Sequence, residues 1–154
     1  RWDGPDHTRP LLHLGLEQSQ SVAGGIAGFG PEVLVSSTAA RCLATIAPTA
    51  AATALPVKHS IGISQDAYSA DGARVQRQVA KRLQRRRTAV LCSHGPVIPQ
   101  IIAAAAELAG IGVTPALRRG AALSTGEFTV MHFARESEHP RLVAIETHAP
   151  AVEA

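Results

Sequence analysis

Two residues that can bind an oxyanion follow two apolar runs of this sequence. Arg41 comes shortly after VLVSS at 33–37 and falls in the first turn of a predicted helix, while His94 ends the run TAVLCSH at 88–94. An arginine at a helix N-terminus lies beside the positive end of the helix dipole, which is mildly unfavourable unless an anion is held nearby. A guanidinium binds phosphate through two parallel hydrogen bonds, and a protonated imidazole adds another charged donor. Together the two residues predict an oxyanion pocket.

Each residue alone also has a purely structural explanation. Arg41 is equally compatible with a surface arginine whose head extends away from the helix end, and a lone histidine more often packs or caps than reacts. Pro96 and Pro99 fall in or near the first turn of the next helix, so the start of that helix is well defined. Gly95 leaves room for a ligand to approach the backbone. The argument for function therefore depends on the pair.

Other phosphate-binding and hydrolytic motifs are absent from the sequence. A cysteine phosphatase loop separates Cys and Arg by five residues, but Pro48 and Ile98 stand six positions beyond Cys42 and Cys92. No GxxxxGK[ST] loop, GxSxG elbow or Glu-rich Nudix helix occurs, and no CxxC or HExxH spacing predicts zinc. Two cysteines do not make a disulfide framework, and we expect a protein of the reducing cytoplasm that uses no metal.

Short β-branched runs alternate with alanine-rich stretches, which predicts a three-layer α/β/α fold with a mostly parallel central sheet. The predicted strands are EVLVSS from Glu32, PVKHSI from Pro56 and TAVLCSH from Thr88. The predicted helices begin near Leu11, Ser37, Ala70 and Val97, and the second has a Ser or Thr cap and is kinked or broken at Pro48. The segments 122–133 and 141–148 predict a C-terminal hairpin. Because sites in open α/β sheets lie beyond the carboxyl ends of strands, Arg41 and His94 should meet.

The size and charge of the chain limit its organisation and its partners. A length of 154 residues predicts one domain over 1–150, followed by a short tail over 151–154. No run approaches the length of a membrane helix. The net charge is +3, but the cluster RLQRRR at 82–87 closes a predicted helix, where cations complement the dipole, and aromatics are only 3%. We therefore expect neither a membrane nor a nucleic acid as partner.

Four segments, in this order, resemble the histidine phosphatase superfamily, whose fold is that of phosphoglycerate mutase. They are WDGPDHTRPLLHLGLEQSQ at 2–20, VLVSSTAARCLAT at 33–45, ISQDAY at 63–68 and SHGPVIP at 93–99. The first segment is most similar to SixA-type phosphatases and to the histidine phosphatase domain of two-domain MutT/Nudix hydrolases. The residues that carry this likeness are Asp6, Arg9, Pro10, Leu11, Gly15 and Gln18.

The resemblance implies a mechanism and assigns residues to it. In that family a histidine of an Arg-His-Gly segment attacks phosphorus and becomes a phosphohistidine, two arginines and a second histidine bind the phosphoryl oxygens, and an acid protonates the leaving group. By the motif match, Arg41 is the second arginine, His94 the second histidine and Asp66 the acid, unless the acid aligns with Gln65. The remaining assignments, to substrate binding, are Arg9, Ser93 and Gly95.

The sequence departs from the family at the nucleophile, because no Arg-His-Gly segment occurs in it. We expect that segment and the first strand upstream of Arg1, with a Nudix domain possible before them. The resemblance implies hydrolysis, without a cofactor, of a small phosphomonoester or an oxidised guanine nucleotide phosphate. Two alternatives stay open: a noncatalytic phosphate-binding or regulatory domain, and a SixA-like phosphatase acting on protein phosphohistidine.

Overall fold

The computed structural model describes residues 2–152 and contains two sheets. Three parallel strands, β1 (Val33–Ser36), β2 (Val57–His59) and β3 (Ala89–Cys92), pair in the order β2-β1-β3. Strands β4 (Phe128–Phe133) and β5 (Leu142–His148) form an antiparallel hairpin. The helices are α1 (His13–Gly28), α2 (Ala40–Thr53), α3 (Ala73–Gln84), α4 (Ile98–Leu108) and α5 (Pro115–Ala121). Short 3-10 turns cover Asp6–Thr8, Ile61–Ile63 and Gln65–Ala67.

Strand β1 lies at the centre of the parallel sheet and is buried along its whole length. Its apolar residues explain this position, because a strand covered on both faces reads as a continuous hydrophobic run. Val33 and Val35 pack in one core with residues of α3 and α4, namely Val75, Val79, Ala104 and Ala105. Helix α2 contacts β1 and β3, and α1 packs on α2. The predicted α/β architecture with a C-terminal hairpin is confirmed.

The prediction for α2 is wrong about its cap, and the break that was one of two alternatives at Pro48 is absent. The N-cap residue is Ala39, and no side chain caps the helix; the nearby Ser37 hydroxyl accepts a hydrogen bond from the Ala39 N–H at 3.2 Å. The helix is not broken at Pro48 but continues to Thr53. Buried residues on either side of the proline, Ile46 and Thr49, hold this part of the helix in the core, so packing outweighs the lost backbone hydrogen bond.

Helix α5, which the sequence analysis missed, connects α4 to the hairpin. The Thr114 side chain accepts a hydrogen bond from the Leu117 N–H at 3.2 Å, and Pro115 occupies the first helical turn. Leu117 is buried beside Ile102 of α4, and Ile145 of β5 packs on the same cluster. The hairpin is thereby attached to the helices of the main sheet.

Two features are absent from the described residues: a helix that could cross a membrane, and a strand paired with the outer edge of β3. No helix within residues 2–152 is long and apolar enough to cross a membrane. In the same range, β3 pairs with β1 along one edge, and no strand pairs with its other edge. Of the predicted tail at 151–154, residues 153 and 154 lie outside the described residues.

Candidate active site

Arg41 and His94 meet at the carboxyl edge of the parallel sheet. Strands β1 and β3 end side by side, with Ser36 opposite Cys92, and the Ser37 N–H donates to the Cys92 carbonyl at 2.9 Å. Helix α2 starts three residues after that point, which puts Arg41 in its first turn. The Arg41 Nη2 lies 3.1 Å from Nδ1 of His94. The convergence expected from the two strand ends is therefore present in the structure.

The partners of the His94 ring define its tautomer. A guanidinium has only donors, so its contact with His94 requires an unprotonated Nδ1. The ring proton is then on Nε2, which lies 2.7 Å from the Ser37 hydroxyl and donates to it. His94 is 6% exposed, and both of its ring nitrogens have partners. The ring is thus oriented from both sides before any ligand is bound.

A cluster of hydroxyl groups lies behind the His94 ring. The Ser37 and Ser64 hydroxyls are 2.8 Å apart, and the Thr38 N–H donates to the Ser64 hydroxyl at 3.0 Å. The Ser64 hydroxyl also lies 3.3 Å from the Ser60 carbonyl, to which it can donate. Ser37 and Ser64 are both buried, so this cluster fixes the end of β1 against the 60–64 loop and supports the ring.

Asp6, in the 3-10 turn near the N-terminus of the chain, accepts hydrogen bonds from the guanidinium of Arg41. The Arg41 Nη1 donates to the Asp6 carbonyl at 2.7 Å, and Nη2 donates to the carboxylate at 2.9 Å. Arg9 donates to the same carboxylate at 3.0 Å. The hydrogen bond from Arg9, and then the charge of Arg41, lower the pKa of Asp6. In the part of the chain that the structure describes, Arg9, predicted to bind substrate, contacts the centre through Asp6.

The side chain nearest to Arg41 in the 65–66 segment is the amide and not the carboxylate. The Gln65 Oε1 accepts a hydrogen bond from Arg41 at 3.4 Å. The Asp66 carboxylate is 53% exposed and lies 3.7 Å from Nδ1 of His7. Among the described residues it makes no hydrogen bond or ion pair with Arg41 or His94. The structure therefore does not bring Asp66, the predicted acid, into contact with the other two predicted residues.

Ser93 and Gly95 flank His94 in different ways. The Ser93 hydroxyl donates to the Ile63 carbonyl at 2.7 Å, which attaches the end of β3 to the 61–63 turn. Apart from its two chain neighbours, no described residue has an atom within 4 Å of the position that a Cβ at Gly95 would take. Packing therefore does not require glycine at residue 95. The N–H groups of Val97 and Ile98 both donate to the His94 carbonyl at 2.9 Å, which holds the turn into α4.

The sequence matches a known family over the first part of this site. Residues 4–65, which include Asp6, Arg9, Arg41 and Ser37, match the model of the histidine phosphatase superfamily, branch 1. Over these residues the chain is similar to the histidine phosphatase superfamily. A curated relative, the 8-oxo-(d)GTP phosphatase of Mycolicibacterium smegmatis, is 29% identical over 102 residues. That match covers 66% of this chain and 32% of the relative, so the chain spans about a third of the length of that protein.

Solved structures of histidine phosphatases have the same fold. A chain described as the phosphohistidine phosphatase SixA from Nakamurella multipartitia superposes with a TM-score of 0.71 at 20% identity, over 98% of this chain and 90% of that one. A mycobacterial glucosyl-3-phosphoglycerate phosphatase superposes with a TM-score of 0.61 at 18% identity, over 94% and 89% of the two chains. At these identities the likeness establishes the fold.

Sequence reasoning missed several residues that contact this candidate site. Ser37, Ser64 and Asp6 all contact Arg41, His94 or each other. A signal for Ser37 existed, because two serines end an otherwise apolar buried strand. Cys42 was also missed as a site neighbour: its sulfur lies 3.6 Å from Nε2 and 3.9 Å from Nδ1 of His94. No three His, Cys, Asp or Glu side chains within residues 2–152 form a group that could hold a metal ion.

Proposed function

We propose that this chain is the phosphatase domain of an enzyme that hydrolyses a small phosphorylated molecule through a phosphohistidine intermediate. The observation that carries the proposal is the meeting of Arg41 and His94 at the ends of two adjacent parallel strands. A guanidinium and an imidazole that converge at one sheet edge supply the donors that a phosphoryl group needs. The similarity of residues 4–65 to the histidine phosphatase superfamily supports the same reaction class.

The contacts of Arg41 and His94 indicate what must change when a phosphoryl group binds. Arg41 now donates to Asp6, Gln65 and His94, so an incoming oxyanion must replace acceptors at the guanidinium. When Arg41 turns to the oxyanion, Nδ1 of His94 is released and can take up a proton. The ring then donates from Nδ1 to a phosphoryl oxygen while Nε2 keeps its hydrogen bond to Ser37. Both groups thus stabilise charge that builds on those oxygens during transfer.

We assign the nucleophile to a histidine outside these 154 residues. His94 is oriented by Arg41 and Ser37 as an oxyanion donor, and the other six histidines follow neither an arginine nor a buried strand. The leaving-group acid is assigned to Asp66, which is half exposed and lies in the turn beside Gln65. A rotation of its exposed side chain away from His7 is needed for this role.

The proposed substrate is a nucleotide phosphate, and an oxidised guanine nucleotide diphosphate is the first candidate. The oxidised guanine nucleotide rests on the name of the M. smegmatis relative, an 8-oxo-(d)GTP phosphatase, and the diphosphate on the resemblance to two-domain MutT/Nudix hydrolases. A Nudix domain in the same polypeptide belongs to this proposal as well. A cytoplasmic location also fits, because both cysteines are free thiols.

A noncatalytic phosphate-binding domain is the second candidate function, and one contact favours it. Gln65, and not Asp66, touches Arg41, and an amide cannot protonate a leaving group. Such a domain would bind a phosphate group through Arg41 and His94 but would not hydrolyse the molecule that carries it. Binding and hydrolysis therefore have to be measured separately.

Binding is tested by calorimetric titration of inorganic phosphate and orthovanadate into the chain. Arg41→Ala and His94→Ala should each weaken binding at least about tenfold, the effect of losing a charged hydrogen-bond donor to an anion. Arg118→Ala is the matched control, because Arg118 is an exposed arginine on α5 with no ion pair among the described residues. Unchanged affinity in Arg41→Ala would show that the oxyanion site lies elsewhere.

Hydrolysis is tested in the natural polypeptide, after its intact mass has been measured. A mass above 16.0 kDa would locate residues outside this sequence that can supply the nucleophile. We then expect release of phosphate from p-nitrophenyl phosphate and 8-oxo-dGDP that resists chelators and is lost in His94→Ala. An acid-labile phosphohistidine should accumulate after rapid quenching. Binding without either signal would favour the noncatalytic domain, and hydrolysis of phosphohistidine protein alone would favour a SixA-like activity.

A further inference from the structure

Two free cysteines lie together directly beneath the proposed oxyanion site. Cys42 is the second residue after the Ala40 start of α2, and Cys92 is the last residue of β3. The Cys92 thiol donates to the Cys42 carbonyl at 3.4 Å, and the Cys42 thiol donates to the Ser93 carbonyl at 3.5 Å. Each thiol therefore contacts the backbone of the other's segment. Neither cysteine has a role in the proposed phosphatase reaction.

The two thiols differ in their acidity. A hydrogen bond from Cys92, and then the neighbouring His94, lower the pKa of the Cys42 thiol, although burial opposes this. Interaction with the Cys42 side chain, and then desolvation, raise the pKa of Cys92. Cys42 is thus the more acidic thiol of the pair, the one that loses its proton first. A thiolate beside a neutral thiol is the arrangement in which one sulfur reacts with an oxidant and the other resolves the product.

We propose that Cys42 and Cys92 are a redox modification site, at which a peroxide oxidises Cys42 and Cys92 closes a reversible disulfide beneath His94. The geometric basis is the pair of reciprocal contacts between the end of β3 and the first turn of α2. The chemical basis is the position of Cys42 against both ring nitrogens of His94 and next in sequence to Arg41.

The proposed reaction balances with hydrogen peroxide as the only oxidant. The Cys42 thiolate attacks one peroxide oxygen, the O–O bond breaks, and the products are Cys42 sulfenic acid and hydroxide. The Cys92 sulfur then attacks the Cys42 sulfur, the S–O bond breaks, and a second hydroxide leaves. The Cys92 proton and a proton from solvent convert the two hydroxides to water. Two electrons pass from the sulfurs to the peroxide, and a dithiol reductant reverses the change.

A disulfide would alter the site above it, and this part rests on the proposed function. Bonding to Cys92 moves the Cys42 sulfur away from the His94 ring, which then loses one of its packing neighbours. The shift acts on the first turn of α2, the turn that carries Arg41. Phosphate affinity should therefore fall at least about threefold on oxidation and recover on reduction, since a site displaced by a fraction of an ångström loses hydrogen-bond alignment.

The test combines intact-mass measurement with thiol counting on the whole chain. After treatment with hydrogen peroxide, the wild-type mass should fall by about 2 Da with loss of both thiols, and dithiothreitol should restore both. Cys92→Ser should instead gain about 16 Da and react with a sulfenic-acid probe, because the resolving thiol is gone. Cys42→Ser should react more slowly than Cys92→Ser. Circular dichroism on each variant confirms that it is folded, and Cys42→Ala and Cys92→Ala replace any that is not.

The outcomes separate this proposal from the proposed function. A wild-type chain that only gains oxygen, stays unmodified or forms a disulfide-linked dimer would overturn the proposed disulfide between Cys42 and Cys92. A disulfide that leaves phosphate affinity unchanged would overturn its effect on the site. If the reduced chain does not bind phosphate at all, the proposed function fails. The mass measurement still decides whether the disulfide between Cys42 and Cys92 forms.

Discussion

The carboxylate of Asp6 occupies one face of the Arg41 guanidinium that an oxyanion would use. It is therefore a competitor for the ligand as well as a partner for the arginine. We predict that Asp6→Asn raises the affinity for inorganic phosphate about two- to fivefold. The gain is small because the Asp6 carboxylate is 50% exposed, and ion pairs at the surface contribute at most about 1 kcal/mol. Calorimetric titration at low ionic strength measures it.

Asp3→Asn is the control for this prediction, because Asp3 lies in the same exposed segment and has no ion pair among the described residues. It should leave the affinity unchanged. A loss of affinity in Asp6→Asn would mean that Asp6 orients Arg41 for the ligand and does not compete with it. That result would assign Asp6 a positioning role.

The hydroxyl of Ser37 is the acceptor for the Nε2 proton of His94 in the interior of the protein. Removing it leaves a buried N–H without a partner, which costs about 1–3 kcal/mol. We predict that Ser37→Ala lowers the free energy of unfolding by this amount in urea and weakens phosphate binding. The matched control is Ser21→Ala, which removes only a local hydrogen bond to the Gln18 carbonyl within α1. Equal destabilisation by both substitutions would contradict the prediction.

The sequence predicted that the two residues following strands would meet, but it did not predict the contacts that residues of other segments make with them. Arg41 and His94 could be predicted to converge, because parallel strands end at one edge of a sheet. Asp6 and Gln65 reach Arg41 from two 3-10 turns, Asp6–Thr8 and Gln65–Ala67, and no local periodicity encodes such contacts. The role of Asp66 stays a prediction, since its side chain faces His7 in the structure.

At the scale of elements, one carboxylate connects α5 to the start of β4. Glu127 accepts hydrogen bonds from Arg119 at 2.9 Å and from the Ser124 N–H at 2.8 Å. The hydrogen bond from Arg119, and then that from Ser124, lower the pKa of Glu127. Because the folded-state pKa lies below the unfolded value, the stabilisation is present above the unfolded pKa and is lost as pH falls through the folded one.

We predict that Glu127→Gln makes the free energy of unfolding less dependent on pH below about pH 5, where ordinary glutamates begin to protonate. The variant should be less stable than wild type at pH 7, and the difference should shrink as the pH falls towards 3. Urea denaturation at a series of pH values measures this. Glu136→Gln is the control, as Glu136 makes no ion pair among the described residues. A difference that does not depend on pH would contradict the prediction.

Most elements could be predicted from hydrophobic runs and periodicity, but tertiary packing decided the exceptions. The strands that begin at Val33, Val57 and Ala89 each lie within a β-branched or apolar run. Pro48 was expected to kink or break α2, and burial of neighbouring residues prevents a break. Helix α5 was missed because seven residues give too little periodicity, even though Thr114-Pro115 is a helix-start signal.

At the scale of the whole molecule, the central strand should be the most stable part. Strand β1 is paired on both edges and buried on both faces, while β2 has three residues at one edge of the sheet and β5 is partly exposed. We predict that the amides of Val33–Ser36 exchange with solvent only through global unfolding. Amides of β2 and of the hairpin should exchange through smaller openings. Hydrogen exchange followed by NMR tests this, and a hairpin that outlasts β1 would contradict it.

The hydrogen bonds of the candidate site also determine the stage of folding at which the site forms. Arg41 is bonded to residues 35 and 53 positions away, and Ser37 is bonded to His94 across 57 positions. Contacts between residues so far apart form only after long loops have closed, which is slow and comes late. A partly folded chain with intact helices would therefore lack the oxyanion-binding site formed by Arg41 and His94. Recovery of phosphate binding during refolding should therefore lag behind recovery of helical circular dichroism.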